Sequence, residues 1–105
     1  MKHSINGKTF DEIFGQRGEE VKTNGLKEGE VYIWINDVYS RMLIKYTRSG
    51  TNYISAEFAI ATDGSISDYF DWFNDKMIRS RFFTATSDQI SLLNSYMNES
   101  ESTNN

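Results

Sequence analysis

A chain of 105 residues with fifteen acidic and eleven basic side chains, a net charge of −4, no Cys and no Pro is bounded before any motif is read. The length suits one domain with a core of its own, needing no metal or disulfide staple. The missing thiols exclude disulfides, thiolate zinc sites, iron–sulfur clusters and cysteine nucleophiles, and acidity spread along the chain disfavours duplex DNA as the main ligand.

The first predicted element is a short helix. After the turn Asn6-Gly7-Lys8, Thr9 and Glu12 have capping-box spacing: the hydroxyl accepts from the backbone N–H three residues on, and the carboxylate reaches back. Phe10, Ile13 and Phe14 fall on one side, and Gly15 is placed to end the helix in the left-handed conformation. From Gln16 to Glu30 the chain is charged and dotted with Gly18, Gly25 and Gly29, which reads as a loop or a poorly paired edge.

Val31-Tyr32-Ile33-Trp34-Ile35 is the strongest strand signal. Both of its faces are apolar, so it is expected to be central or covered on both sides. A second strand, Val38 to Arg48, sets Val38, Met42, Ile44 and Tyr46 against Tyr39, Arg41, Leu43 and Lys45. Residues 53–61 alternate, with Ile54, Ala56, Phe58 and Ile60 inward and Tyr53, Ser55 and Glu57 outward. Asn36-Asp37 and Ser49-Gly50-Thr51-Asn52 supply the turns of a meander.

Beyond the turn at Asp63-Gly64, Ile66 to Met77 has two readings. Ile66, Tyr69, Phe70, Phe73 and Met77 have helical spacing, and the aromatic density equally suits a loop folded over a barrel mouth. Ile78 to Phe83 reads as the last strand. Thr86 and Gln89 form a second capping box, with Asp88 at the positive end of the helix dipole. The helix is expected over Ser87 to Met97, packed by Ile90, Leu93 and Met97, with Asn98 to Asn105 a disordered polar tail. The predicted fold is α+β: one domain over residues 1–97, a small twisted antiparallel sheet or open barrel of four or five strands, a short N-terminal helix and a C-terminal helix.

The chemistry-bearing residues form no catalytic pattern. His3 is the single histidine, in a terminus expected to fray, where a triad or metal site would need it fixed by a partner. Asp63-Gly64-Ser65-Ile66-Ser67-Asp68 starts like a calcium loop, but Asp68 stands where Gly is needed and Asn74 where a bidentate Glu is needed, so a plain turn is expected. Asp63, Asp68, Asp71 and Asp75 read as a solvated or partner-facing acidic edge rather than acid–base carboxylates. Serines lack a nucleophile-elbow context, and glycines have neither dinucleotide nor P-loop spacing. The expectation is a non-enzyme without cofactor or metal.

Two binding surfaces remain. Tyr69, Asp71, Trp72 and Asp75 make an acidic aromatic patch suited to a protein partner. The alternative is a face of Tyr39, Arg41, Lys45 and Tyr53, with Lys76, Arg79 and Arg81 as a second basic cluster, suited to stacking and holding single-stranded nucleic acid. The N-terminus lacks the apolar run of a signal peptide and no stretch approaches the ~20 apolar residues of a membrane span, so a cytoplasmic protein with no membrane partner is expected.

The lead-in Leu26-Lys27-Glu28-Gly29-Glu30-Val31, the β meander, the aromatic segment, and then Arg81 with Ala85-Thr86-Ser87-Asp88-Gln89-Ile90 and Leu93 resemble small uncharacterised proteins of bacteriophages and prophages. Those end in a similar strand-to-helix passage. The resemblance covers residues 26–97 and implies a mobile-element accessory protein in the host cytoplasm. It further implies a non-catalytic binder of a host protein or complex, such as an anti-CRISPR-like inhibitor of host defence, and assigns no functional residue.

Overall fold

Thr9 opens the first helix as its spacing predicts. In the computed structural model its hydroxyl accepts from the Glu12 N–H (3.2 Å) and Glu12 Oε1 accepts from the Thr9 N–H (3.3 Å), starting α1, Phe10–Phe14. The structure describes residues 3–36, 41–51, 53–68, 70–73 and 81–103. Gly15 ends α1 without the left-handed turn expected of it: it stays right-handed (φ −79°), and its N–H bonds Asp11 O at 3.1 Å.

Among the described residues seven strands follow, all antiparallel in one sheet: β1 (Glu20–Val21), β2 (Val31–Ile35), β3 (Arg41–Ser49), β4 (Tyr53–Ala61), β5 (Ile66–Ser67), β6 (Phe70–Phe73) and β7 (Arg81–Thr84). Helix α2, Ser87–Thr103, closes the chain. The order is β1-β7-β2-β3-β4-β5, with β6 also on β4. The class is α+β and the sheet is open. Five strands have four residues or more, which meets the expected count; β1 and β5 add two residues each.

The described part of Ile66 to Met77 corrects both readings offered for it, while Tyr69 and residues 74–77 lie outside the described residues. Ile60 pairs with Ile66 and Ala59 with Ser67; the same register resumes where Ala56 pairs with Phe70 and continues to Tyr53 with Phe73. Thus β5 and β6 are two stretches of one return strand. Helical spacing lost because aromatic and β-branched residues pair well on a pleated surface, and β4 offered a free edge. Of the two readings of 16–30, loop or poorly paired edge, the second holds for a short piece: Gly18 N–H bonds Thr84 O at 2.7 Å, and the two-residue β1 then pairs with Phe82 and Phe83 at the margin of the sheet. The approach is close enough that a Cβ on Gly18 would stand 2.0 Å from Thr84 Oγ1.

The sheet is apolar on both faces, as the β2 pattern predicts. Ile33, Ile35, Leu43, Phe58, Ile60 and Phe83 pack under α1 and α2 against Phe10, Ile13, Phe14, Leu92, Leu93 and Tyr96. Tyr32, Trp34, Ile44, Tyr46, Ile54, Ala56, Ala59 and Phe82 form a second cluster, with Val21, Leu26 and Met42 packed against it. The even alternation expected of β4 is broken. Phe58 pairs with Lys45 and Ala56 with Tyr46, so Glu57 is an extra residue; Ile54 and Ala56 join one cluster while Phe58 and Ile60 join the other. A second irregularity leaves Thr47 between the pairings of Tyr46 and Arg48. One inserted residue exchanges the faces of everything beyond it.

Along α2 the fully buried residues are Gln89, Leu92 and Leu93, with Tyr96 at 5% exposure, a helical stripe facing the sheet. Ile90, expected in that stripe, is 39% exposed, because the polar but hydrogen-bonded Gln89 takes the inward position. Met97 is partly buried against the core. The helix also runs to Thr103, through residues expected to be tail. No Gly or Pro stops it there, and extending a nucleated helix costs far less than starting one.

Candidate functional site

The expected acidic patch falls on the return strand. Asp71 and Trp72 lie in β6, at the register positions of Ser55 and Ile54; Tyr69 and Asp75 lie outside the described residues. β5 and β6 lie along the edge of β4 opposite β3, and among the described residues no strand pairs with their outer side. An edge strand presents unpaired N–H and C=O groups to solvent. From Ala61 to Asp75 the chain holds Asp63, Asp68, Asp71 and Asp75 and no Lys or Arg.

Asp63 itself is occupied by its turn. Its Oδ1 accepts from the Ser65 N–H (2.9 Å) and Ser65 Oγ (2.6 Å), while Gly64 takes a positive φ of 87° that other residues rarely adopt. The calcium-like start of this loop is thereby used for turn formation. Asp68 is exposed at the end of β5.

The alternative basic face is assembled differently from a stacking platform. Arg41 and Lys45 stand on the helix-covered face of β3, both half-buried. Arg41 Nη1 donates to Phe14 O at the end of α1 (3.4 Å), and Lys45 Nζ lies 3.6 Å from Glu57 Oε1. The Tyr53 ring lies across Gly50, where a Cβ would come within 2.1 Å of it. Tyr39, Lys76 and Arg79 lie outside the described residues. The register that puts Arg41, Lys45 and Tyr53 on one side also puts the helices over much of that side.

Two polar constellations join residues far apart in the sequence. At one end of β7, Arg81 grips Glu20 with two hydrogen bonds (Nη2 to Oε1, 2.7 Å; Nε to Oε2, 3.2 Å), and the Arg17 and Arg81 guanidiniums lie 4.7 and 5.1 Å from the Phe83 ring centroid. The hydrogen bonds from Arg81, and then the Arg81 and Arg17 charges, hold the Glu20 carboxyl below its ordinary value; the same pairing raises Arg81.

The other joins both helices. Gln89 Nε2 donates to Ile13 O (3.0 Å) and Gln16 O (2.6 Å), its Oε1 accepts from the Thr86 N–H (3.0 Å), and Thr86 Oγ1 accepts from the Gln89 N–H (3.3 Å), completing the predicted capping box. Asp88 accepts from Lys8 Nζ (2.8 Å), Gln16 Nε2 (3.2 Å) and Asn6 Nδ2 (3.4 Å), which holds its carboxyl below the usual range and raises Lys8. His3, expected to fray, is tied down instead: its ring meets Tyr96 edge-on at 4.5 Å, its N–H donates to the Tyr96 hydroxyl, and Nε2 lies 2.5 Å from Glu99 Oε2. That contact requires the helical turn beyond Met97. These contacts fasten the N-terminal segment to α2.

Among the described residues no group of His, Asp and Glu is disposed to hold a metal ion, and no helix is long and apolar enough to cross a membrane. No family model, curated protein or solved structure matches the chain.

Proposed function

We propose that this protein is a non-catalytic protein-binding module that captures a basic, extended segment of its partner by strand addition at the outer edge of β5 and β6. The observation that carries the reading is the edge of the return strand, unpaired among the described residues, within a segment that has four aspartates and no cation. Main-chain hydrogen bonds along an exposed strand supply affinity, and side chains at alternate positions supply selectivity. A negative edge steers a positive strand and repels a second acidic copy. Such binding suffices for an inhibitor, which needs only to occupy a partner's surface.

Capture from cell lysate, with and without nuclease, compared across variants, tests this. Asp71→Lys should abolish retention of a nuclease-resistant basic partner, Trp72→Ala should reduce it at least roughly tenfold, and Arg41→Ala with Lys45→Ala should leave it unchanged. Capture that disappears on nuclease treatment and on Arg41→Ala, while surviving Asp71→Lys, would refute the proposal in favour of single-stranded nucleic acid.

A further inference from the structure

Arg41, Ile35 and Arg81 form a row across three adjacent strands, since Ile35 pairs with Arg41 of β3 on one side and Arg81 of β7 on the other. Directly paired residues share a face, and Ile35 belongs to the helix-covered core, so both arginines stand on that face. With strands ~4.8 Å apart, their α-carbons are separated by on the order of 10 Å. Arg41 bonds the last carbonyl of α1, at Phe14. A short way along the chain, Arg17 stacks on the same Phe83 ring as Arg81.

Arg17 and Arg81 thus share one ring, and Arg41 stands on the same face one strand beyond Ile35, in a chain with net charge −4 where Glu20 is bonded to Arg81. Arg17 is exposed and has no ion pair among the described residues. A guanidinium lying on an aromatic ring keeps its in-plane N–H groups free, in a fork that matches an oxyanion, and is already immobilised. We propose that Arg17, Arg41 and Arg81 form a binding site for a compact phosphate-type oxyanion, with Glu20 as an internal competitor that the ligand displaces from Arg81. Bidentate contact with such an anion is the strongest use of an arginine fork. Compactness follows from the flanks: Glu19 and Glu20 border the cluster, so a long polyanion meets negative charge within a few ångströms of it.

The test is titration of the intact protein with inorganic pyrophosphate at fixed ionic strength, following the arginine side-chain N–H resonances by NMR. Saturable shifts at Arg17, Arg41 and Arg81, with a Kd of about 1 mM or below, are expected. Arg17→Ala should weaken binding roughly tenfold by removing one charge-assisted donor set. Glu20→Gln should tighten it roughly threefold by releasing Arg81. Both side chains are exposed, and unfolding midpoints of the variants confirm that they fold. Non-saturating shifts, unchanged affinity in Arg17→Ala, or no gain in Glu20→Gln would overturn the proposal. Displacement of pyrophosphate from the same resonances by a single-stranded oligonucleotide at lower concentration would overturn the assignment to a compact anion.

Discussion

Replacing Gln89 by Ala removes three hydrogen bonds from a side chain with no exposed surface. Ile13 O keeps a partner in the Gln16 N–H (3.1 Å), whereas Gln16 O and the Thr86 N–H lose the partner that Gln89 supplied. At ~1 kcal/mol for each bond lost, the cost is about 3 kcal/mol. In a domain of this size that lowers the melting temperature by roughly 12–24 °C. Gln89→Glu provides the isosteric control. It preserves an acceptor for Thr86 but sets a buried carboxylate oxygen against the carbonyls of Ile13 and Gln16, so at neutral pH it should be less stable than Gln89→Ala. Protonation restores one donor. Burial and the facing carbonyls raise the folded-state pKa of the introduced carboxyl, so this variant should regain stability as pH falls. Urea unfolding at neutral and mildly acidic pH measures both effects. A loss below about 1 kcal/mol in Gln89→Ala, together with a pH-independent Gln89→Glu, would refute the view that this side chain joins the helices.

Asp88, with its carboxyl held low by Lys8 and then Gln16, contributes stability in full above the ordinary carboxylate value of about 3.9 and loses it as pH falls through the lowered one. Asp88→Asn should therefore be less stable than wild type at neutral pH, with the difference closing as urea midpoints are followed down to about pH 3. Leu92→Ala should cost about 3 kcal/mol by opening a cavity under α2, while Ile90→Ala, at a position 39% exposed, should cost less than about 1 kcal/mol; similar losses would refute the assigned helix face. Gly18→Ala should cost about 2 kcal/mol because the added methyl meets Thr84, and hydrogen exchange should show β1 opening before β2 and β3.

The sequence made local order legible where one rule acted alone. Two capping boxes, the apolar run of β2, and the class of the fold followed from spacing and alternation because side chains three apart at a helix start, or two apart on a strand, meet whatever surrounds them. Register was not legible. Residues 53–61 alternate evenly in sequence, yet the extra residue Glu57 sends Ile54 and Phe58 to opposite cores, and nothing local marks that position, since a bulge is fixed by what both neighbouring strands require. The same limit applies to the candidate sites. A capping Gln is ordinarily a surface residue, and only the end of α1, more than seventy positions away, turns Gln89 into a buried connector. Arg17, Arg41 and Arg81 are scattered singly through an acidic chain; the Phe83 ring carries two of them, and three-stranded pairing around Ile35 sets Arg41 and Arg81 on one face. The acidic run is legible in the sequence because charge runs with the chain, but its candidate role depends on the pairing that periodicity obscured: Phe70–Phe73 lies beside Tyr53–Ala56, with its outer side unpaired among the described residues. In this fold a residue's chemistry is written locally, whereas its availability to a ligand is set by strand order.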